Sequence, residues 1–359
     1  MELSELRQIL SEFKDPYHGS GWVSTKALKK LELNDACLKM EVELGYPCQD
    51  IAKTLAETLC AFIRARTPFT TIDLNIKQNI NAHRVQQGLK GVAGISNIIA
   101  IASGKGGVGK STVSANFALA LSLGGARVGL LDADIYGPSQ PQIMGTYEAP
   151  KVEAKHVHPI MRHGIATMSI GYLVGADTPM IWRGPMVSSA LQQLLNDTLW
   201  GELDYLIIDL PPGTGDIQLT LCQKIPLSGA IIVTTPQDLS LIDARRAIAM
   251  FHKVKVPILG IIENMSNYHC PACGHVEAIF GEGAGQYLQE QEQVPLLGSL
   301  PLDMRIRADV DQGTPTVIAA PEHALSQKYR HMARTAAARL ALEGRNFARK
   351  FPNIVVETK

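Results

Sequence analysis

The octapeptide GKGGVGKS at residues 104–111 constrains the fold more than any other stretch of this 359-residue chain. It satisfies the pattern G-x-x-x-x-G-K-[ST] in full, and it lies between an apolar run at 97–103 and a predicted helix at 110–124. A strand–loop–helix unit gives such a loop its phosphate-binding geometry, because the helix N-terminus and the loop N–H groups point at one anion. The sequence therefore predicts a P-loop nucleotide site in an α/β domain.

Each residue type in the loop has an expected role. Glycine has no Cβ, so the backbone N–H groups can close around the phosphates. Lys110 is expected to reach the β- and γ-phosphates, and the Ser111 hydroxyl is expected to ligate Mg²⁺. The predicted nucleotide contacts span the loop and the first turn of the helix: Gly104, Lys105, Gly106, Gly107, Val108, Gly109, Lys110, Ser111 and Thr112.

Aspartates stand where two later strands are predicted to end. The segment LLDADIYGPS carries Asp132 and Asp134, and IIDLPPGTGD carries Asp209. A carboxylate one strand from the P-loop can hold the Mg²⁺ shell, and another can orient the attacking water. We predict the Mg²⁺ role for Asp209, the catalytic water-orienting role for Asp134, and a supporting role in the metal shell or loop for Asp132. Aspartates at strand ends are often helix caps, so these roles depend on the order of the three motifs.

Short apolar runs without polar alternation recur after the P-loop strand. They indicate strands buried on both faces, which belong to a mostly parallel sheet flanked by helices. The six predicted strands are 97–103, 126–134, 204–212, 229–235, 257–264 and 295–300. Helices are predicted between them, for example at 240–253, and a long Ala/Arg-rich helix is predicted from Glu322 to Phe351.

The first 80 residues predict a separate small α/β module. Its expected elements are two alternating strands and one helix, at 37–47, 70–80 and 48–66. The stretch 81–97 is polar and then Gly-rich, as in a linker. We therefore predict domains at 1–90 and 91–359. The predicted fold class is α/β: a P-loop NTPase with a mostly parallel sheet flanked by helices, preceded by a small α/β domain.

Charge and composition exclude several classes of protein. Lysine plus arginine equals aspartate plus glutamate at 34 each, which is unlike the basic balance of a dedicated nucleic-acid binder. The N-terminal segment lacks the features of a signal peptide, and no apolar stretch approaches the ~20 residues needed to cross a bilayer. Six irregularly spaced cysteines do not resemble a secreted disulfide framework. We expect a cytoplasmic protein with no nucleic-acid or membrane partner.

Cys270 and Cys273 form a CxxC pair in the segment HCPACGHV. A structural zinc or a cubane cluster takes four protein ligands, and the other cysteines stand alone. His269 and His275 could complete a zinc site, but they would crowd the same face of the metal. A redox disulfide is a weaker alternative, because no thioredoxin-like pattern surrounds the pair. A two-fold dimer would complete the site with two thiolates from each copy.

Lys105 is a second lysine inside the phosphate-binding loop. An ordinary P-loop does not need it. A solvated loop charge is the second interpretation, because the lysine sits among the glycines that surround the phosphates. The loop resembles the deviant P-loop of the MinD/ParA/nitrogenase-iron-protein class. That resemblance implies that Lys105 reaches across a dimer interface to the partner's nucleotide, where it would join Lys110 and Asp134 in catalysis.

Seven segments together resemble the Mrp/ApbC iron–sulfur carrier ATPases over about residues 97–317. They are KGGVGKSTVSANFALAL, DADIYGPSQP, IWRGPM, DYLIIDLPPGTGD, VTTPQDLSLIDARRAIAMF, PILGIIENMS and CPACG. The resemblance implies a cytoplasmic homodimer that binds a [4Fe–4S] cluster and hands it to apoproteins. It also implies that Asn264 contacts the adenine, with the segment 300–307 on the other side of the base. It leaves the role of Arg183 open.

The N-terminal module more loosely resembles the small iron–sulfur-assembly domain that precedes some of these ATPases. The matching points are DPYHGSGWVS at 15–24 and the Pro-Cys pair that ends at Cys48. Cys48 could handle a cluster or simply pack in a core, and the sequence does not decide between them.

The sequence thus predicts an ATP-binding and slowly hydrolysing carrier, with ATP and Mg²⁺ at the P-loop. A [4Fe–4S] cluster is expected to bridge the dimer through Cys270 and Cys273. Apo iron–sulfur proteins and cluster-assembly donors are the expected partners. The alternative is a ParA/MinD-like positioning ATPase in which the cysteine pair belongs to a structural zinc knuckle.

Overall fold

The structure is a computed structural model that describes residues 2–34, 37–173 and 184–345. Arg183 lies outside these residues, and so does the end of the helix predicted to reach Phe351. Within them, no helix is long and apolar enough to cross a membrane.

The N-terminal part contains a three-stranded sheet and two helices. Its elements are α1 (Leu3–Glu12), β1 (Leu28–Asn34), β2 (Cys37–Leu44), α2 (Ala52–Arg64) and β3 (Thr71–Gln78). Strand β2 lies in the middle, antiparallel to β1 and parallel to β3. Helix α2 buries Leu55, Leu59 and Ile63, which are spaced along one helical face. The strands predicted at 37–47 and 70–80 and the helix at 48–66 are present, whereas α1 and β1 were not predicted.

An eight-stranded sheet forms the centre of the remaining chain. Its strands are β4 (Ile95–Ala102), β5 (Val128–Asp132), β8 (Ile160–Arg162), β9 (Ile165–Ser169), β10 (Leu203–Asp209), β11 (Gly229–Thr234), β12 (Ile258–Glu263) and β15 (Leu296–Ser299). Their order is β15-β12-β11-β4-β10-β5-β9-β8, and every neighbouring pair is parallel except β8 and β9. The predicted mostly parallel sheet is confirmed.

Helices and short hairpins connect these strands. The helices are α3 (Lys110–Leu123), α4 (Gln140–Met144), α5 (Gly184–Asp197), α6 (Asp216–Lys224), α7 (Asp238–Lys253), α8 (Ala284–Glu292), α9 (Met304–Asp311), α10 (Thr316–Ala319) and α11 (Ala324–Leu340), with a 3₁₀ turn at Ile170–Tyr172. The two-stranded hairpins are β6 (Val152–Glu153) with β7 (His156–Val157), and β13 (Tyr268–His269) with β14 (Val276–Glu277).

Hydrophobic cores lie on both faces of the large sheet. In β4, Ile99 and Ile101 face one core, whereas Ile98 and Ala100 face the other, as the period of two in a strand requires. The first core also contains the apolar residues of the N-terminal sheet and the buried face of α11. The small sheet therefore packs on the large domain through one continuous apolar layer.

Helix α11 is shorter than predicted. It ends at Leu340, and the chain then turns, with the Gly344 carbonyl accepting a hydrogen bond from the Arg84 N–H at 2.8 Å. A single helix from Glu322 to Phe351 is wrong for this reason, because Gly344 interrupts a pattern that looked continuous. The Arg334 guanidinium of α11 binds the carboxylate of Asp50, which joins this helix to the N-terminal part.

The predicted linker is attached along its length to the large domain. The buried imidazole of His83 lies 2.9 Å from Asn97 Oδ1, and Gln86 Nε2 donates to the Cys222 carbonyl at 2.7 Å. A domain boundary near residue 90 stays a prediction, since the apolar core crosses it.

Candidate nucleotide site and cysteine hairpin

The P-loop connects β4 to α3 at the carboxyl edge of the sheet. Gly107 and Gly109 have φ values of +79° and +82°, in the left-handed region that favours glycine. A Cβ on Gly104 would lie 2.2 Å from the backbone carbonyl group of Asp243. The loop glycines are therefore required both by backbone conformation and by the close approach of α7.

Lys110, the first residue of α3, lies at the centre of a buried polar cluster. Its Nζ lies 2.5 Å from Asp209 Oδ1 and 3.3 Å from Ser111 Oγ. Ser114, one helical turn further, donates to the same Asp209 oxygen at 2.8 Å. The structure thus brings together the predicted P-loop lysine, the hydroxyl predicted to ligate Mg²⁺ and the predicted Mg²⁺ carboxylate.

Gln140 connects the two aspartate-bearing strands, and sequence reasoning missed it. Its Nε2 donates to Asp209 Oδ2 and to the Ser111 carbonyl, both at 3.0 Å. Its backbone N–H donates to Asp132 Oδ2 at 3.2 Å, and Ser169 Oγ donates to the same oxygen at 2.9 Å. A glutamine that follows the DADIYGPS motif directly is the signal that could have found it.

The carboxylates of Asp132 and Asp134 have different environments. Burial and the nearby Asp209 carboxylate raise the pKa of Asp132, which is fully inaccessible to solvent. Burial also raises the pKa of Asp134, which is only half-buried. Asp134 is thus the accessible carboxylate of the pair, as its predicted contact with water requires, and Asp132 holds the loop through its hydrogen bonds.

The donor set fits Mg²⁺. Magnesium prefers oxygen ligands, usually one or two carboxylates together with phosphate oxygens and water. The Ser111 hydroxyl and the Asp209 carboxylate both contact the Lys110 ammonium, so both oxygens face one small region. These two residues would hold the ion, which would screen the charge of the phosphates.

Lys105 is half-buried. Its carbonyl accepts a hydrogen bond from Ser103 Oγ at 2.8 Å. Its ammonium forms no hydrogen bond or ion pair with any residue that the structure describes. The structure does not bring Lys105 to the Lys110–Asp209 cluster.

Asn264 follows β12 and contacts the P-loop from the side. The residue is 8% exposed, and its Nδ2 donates to the Val108 carbonyl at 2.9 Å. This position at the carboxyl edge of the sheet suits a residue that contacts a bound nucleotide. The adenine contact itself stays a prediction.

Cys270 and Cys273 lie in the turn that joins β13 to β14. The Cys270 N–H donates to the His275 carbonyl and the Gly274 N–H donates to the Cys270 carbonyl, both at 2.9 Å. Cys273 is exposed and Cys270 partly so. The N–H groups of Cys273 and then Ala272 donate to the Cys270 sulfur and lower its pKa. The turn presents two thiols, one of them with a stabilised thiolate, at the surface.

A complete metal site does not exist within the described part of one chain, because no group of three or more Cys, His, Asp or Glu side chains converges there. His269 and His275 flank the cysteines in sequence without completing such a group. Cys48 is 1% exposed, and burial raises its pKa to about 12. Core packing is therefore the role that the structure supports for Cys48.

Comparison with known proteins gives the family. The chain matches the ParA family model described as NUBPL iron-transfer P-loop NTPase over residues 94–337, more than half of its length. The chain belongs to this family. Like the family's other members, it is a P-loop NTPase.

Similarity to individual proteins extends over most of the chain. An iron-sulfur cluster carrier protein of Salmonella typhimurium is 48% identical over 337 residues, which cover 93% of this chain and 91% of that protein. The iron-sulfur cluster transfer protein NUBPL of Dictyostelium discoideum is 45% identical, covering 77% and 87% respectively. A nucleotide-binding protein of Archaeoglobus fulgidus, solved with ADP, is 39% identical with a TM-score of 0.55, covering 61% and 87%.

Proposed function

We propose that this protein is an ATP-hydrolysing carrier of iron–sulfur clusters that transfers them to apoproteins. Its family and the names of its similar relatives support this function. The observation that carries it is the exposed Cys270–Cys273 turn, which offers two thiols and no third ligand within the described residues. A cargo site needs access for an acceptor, whereas a structural zinc site is usually closed.

ATP hydrolysis follows from the P-loop cluster. The loop N–H groups and Lys110 bind the phosphates, and Ser111 and Asp209 would hold Mg²⁺, which would screen the phosphate charge. Asp134 orients a water molecule that attacks the γ-phosphorus, and the bond between that phosphorus and the β–γ bridging oxygen breaks. The proton of the attacking water is released to phosphate or solvent, and ADP leaves with the bridging oxygen.

Two copies of the chain form the working unit. Four thiolates are needed for a cubane cluster, and each copy offers two. The Lys105 ammonium has no partner among the residues described in its own chain and reaches the partner's nucleotide in this arrangement. The cluster then lies on the two-fold axis, exposed enough to be donated to an acceptor.

In this proposal the protein acts in the cytoplasm. Cluster-assembly donors load it there, and apo iron–sulfur proteins receive the cluster. Neither nucleic acid nor membrane is a partner in this function. A positioning ATPase with a zinc knuckle fits less well, because a structural zinc site is usually closed by four ligands, whereas this pair of thiols is accessible and has no third ligand within the described residues. The iron–sulfur names of the relatives also favour the carrier.

A transfer assay tests the function. Cluster-loaded protein is mixed anaerobically with an apo [4Fe–4S] enzyme, and recovery of that enzyme's activity is followed. The wild type should restore activity, while Cys273→Ala should not. Asp134→Ala should load normally but hydrolyse ATP slowly. Protein that takes up zinc but never iron, and restores nothing, would favour the knuckle.

A further inference from the structure

The geometry points to a further role for Asn264: it is the positioning residue that couples the nucleotide state of the P-loop to the Cys270–Cys273 turn. This inference rests on the proposed function, because it supplies the connection between ATP and the cluster. The inference assigns this connection to the side chain of Asn264.

Asn264 is held between the P-loop and the central sheet. Its side-chain amide donates to the Val108 carbonyl at 2.9 Å, and its backbone N–H donates to the Thr234 carbonyl at 2.7 Å. A Cβ on Gly109, the residue before α3, would lie 2.3 Å from Asn264 Nδ2. The amide therefore packs closely against Val108 and Gly109, in the loop that would surround the phosphates. A shift of the Val108 carbonyl must move this amide or break its hydrogen bond.

The chain from Asn264 to the cysteine turn has little slack. Met265 adopts a φ of +57°, which fixes a sharp change of direction. The backbone N–H and the Oγ of Ser266 both donate to the Leu300 carbonyl, at 2.9 and 3.1 Å. The Leu302 N–H donates to the Asn267 carbonyl at 2.7 Å, and β13 begins at the next residue. A displacement at Asn264 therefore passes along a bonded path to Cys270, six positions away.

Glu263 lies at the base of the segment 264–283, which leaves the sheet after β12, carries the cysteine turn and returns at α8. We call this segment the excursion. Its buried carboxylate accepts hydrogen bonds from the Gly285 N–H at 2.9 Å and from Ser299 Oγ at 3.0 Å. Gly285 lies in the first turn of α8, immediately after the excursion that carries the cysteines. Both ends of the excursion are thus attached to one residue, and Asn264 is its next neighbour. The base of the segment that carries the cysteines is therefore fixed directly beside Asn264.

Amide hydrogen exchange tests the coupling in full-length, cluster-free protein. Exchange in peptides covering residues 266–283 is measured with and without saturating MgATP. In the wild type, we expect nucleotide to change this exchange by at least about threefold. In Asn264→Ala, exchange should become independent of nucleotide although nucleotide is still bound. If Asn264 were only structural, Asn264→Ala would raise exchange by the same factor with and without nucleotide, and the nucleotide response would persist.

Two further variants sharpen the test. Asn264→Asp keeps the volume but removes the donor, so it should lose the nucleotide response as Asn264→Ala does. Asn75→Ala makes the same chemical change on the exposed edge strand β3 and should behave as the wild type. The coupling role is overturned if the wild type shows no response or if both Asn264 variants keep it. Because Asn264 is also the predicted adenine contact, its variants are compared at nucleotide concentrations raised to saturation. The coupling role is equally overturned if no concentration saturates them, because Asn264 would then be required for binding itself.

The proposed function is checked separately by iron content. Asn264→Ala should reconstitute with as much iron as the wild type. A wild type that binds no iron would refute the carrier function, whereas the exchange result, obtained without a cluster, would still decide whether the two sites communicate.

Discussion

Lys110 Nζ lies 2.5 Å from Asp209 Oδ1, in a pair of which both side chains are almost completely buried. Ser114 and Gln140 donate to the same carboxylate, so the pair is part of a network rather than an isolated contact. One cation thus serves both the phosphates and the carboxylate that would hold Mg²⁺. This arrangement makes stability and nucleotide binding depend on the same lysine.

Lys110→Ala should abolish measurable ATP binding and also destabilise the fold. Removing one partner of a buried ion pair costs about 3–5 kcal/mol, because the other charge stays buried without compensation. Adding Asp209→Asn should therefore restore at least half of the lost free energy of unfolding. Urea denaturation of the single and double variants measures this, with nucleotide titration alongside. A double variant no more stable than Lys110→Ala would show that the pair is not the source of the loss.

Stability should fall with rising pH because of Asp132. Its pKa is raised from 3.8 to about 7 in the folded protein by burial and by Asp209, so the folded state binds the extra proton. Its contribution to the free energy of unfolding is therefore greatest below the ordinary pKa of an aspartate. That contribution is lost as pH rises through the pKa of the folded state, by at most about 1.4 kcal/mol per pH unit. Asp132→Asn should flatten the plot of unfolding free energy against pH. Urea denaturation between about pH 4 and 8 measures this plot.

The exposed residue Asp73 provides the matched control. Asp73→Asn should leave the slope of unfolding free energy against pH unchanged. If Asp132→Asn and Asp73→Asn give the same profile, Asp132 does not titrate in this window.

The cysteines should differ sharply in reactivity. Cys270 is accessible and its pKa is lowered by the N–H groups of Cys273 and Ala272, whereas burial raises the pKa of Cys48 and of Cys222 to about 12. Because the thiolate is the reactive form, Cys270 should alkylate at least about tenfold faster than the two buried thiols. Peptide mass spectrometry of metal-free protein after timed iodoacetamide exposure gives the rates. Fast labelling of Cys48 in folded protein would contradict its place in the core and reopen a role in cluster handling.

Lys105 should act in trans. Lys105→Ala and Asp134→Ala chains are each expected to hydrolyse ATP poorly. In a mixed dimer, one site lacks both groups and the other site retains both, so part of the activity should return. Phosphate release from mixtures of the two variants measures this. Mixtures that stay at the level of the separate variants would show that Lys105 works within its own chain or has no catalytic role.

Much of the large domain could be predicted because its strands are buried on both faces. A continuous apolar run such as the one containing Ile98–Ile101 leaves few alternatives once a P-loop follows it. Strand β1 was harder to predict, because its register with β2 shifts between Leu28 and Lys30 and breaks the alternation. The end of α11 was missed because residues that favour helices continue from Leu340 to Glu343, whereas the chain turns there before Gly344.

The candidate site likewise contains residues that could be predicted from the sequence and residues that could not. Lys110 and Asp209 belong to motifs whose residues have fixed roles, so their meeting could be expected from the sequence. Gln140, Ser114 and Glu263 act through single hydrogen bonds formed only when distant elements pack together. No local pattern distinguishes Ser114 or Glu263, and the only signal for Gln140 is its place directly after the DADIYGPS motif.

The central claim is that two copies of the chain hold one cluster through Cys270 and Cys273. The most direct measurement is the amount of iron, sulfide and zinc in anaerobically reconstituted protein, with the mass determined on the same sample by light scattering. We expect about four irons per dimer, as four-thiolate ligation of a cubane requires, and almost none in Cys270→Ala or Cys273→Ala, because symmetry removes two ligands at once. ATP hydrolysis should largely survive in both variants. Stoichiometric zinc that resists replacement, or a full cluster on a monomer, would contradict the account.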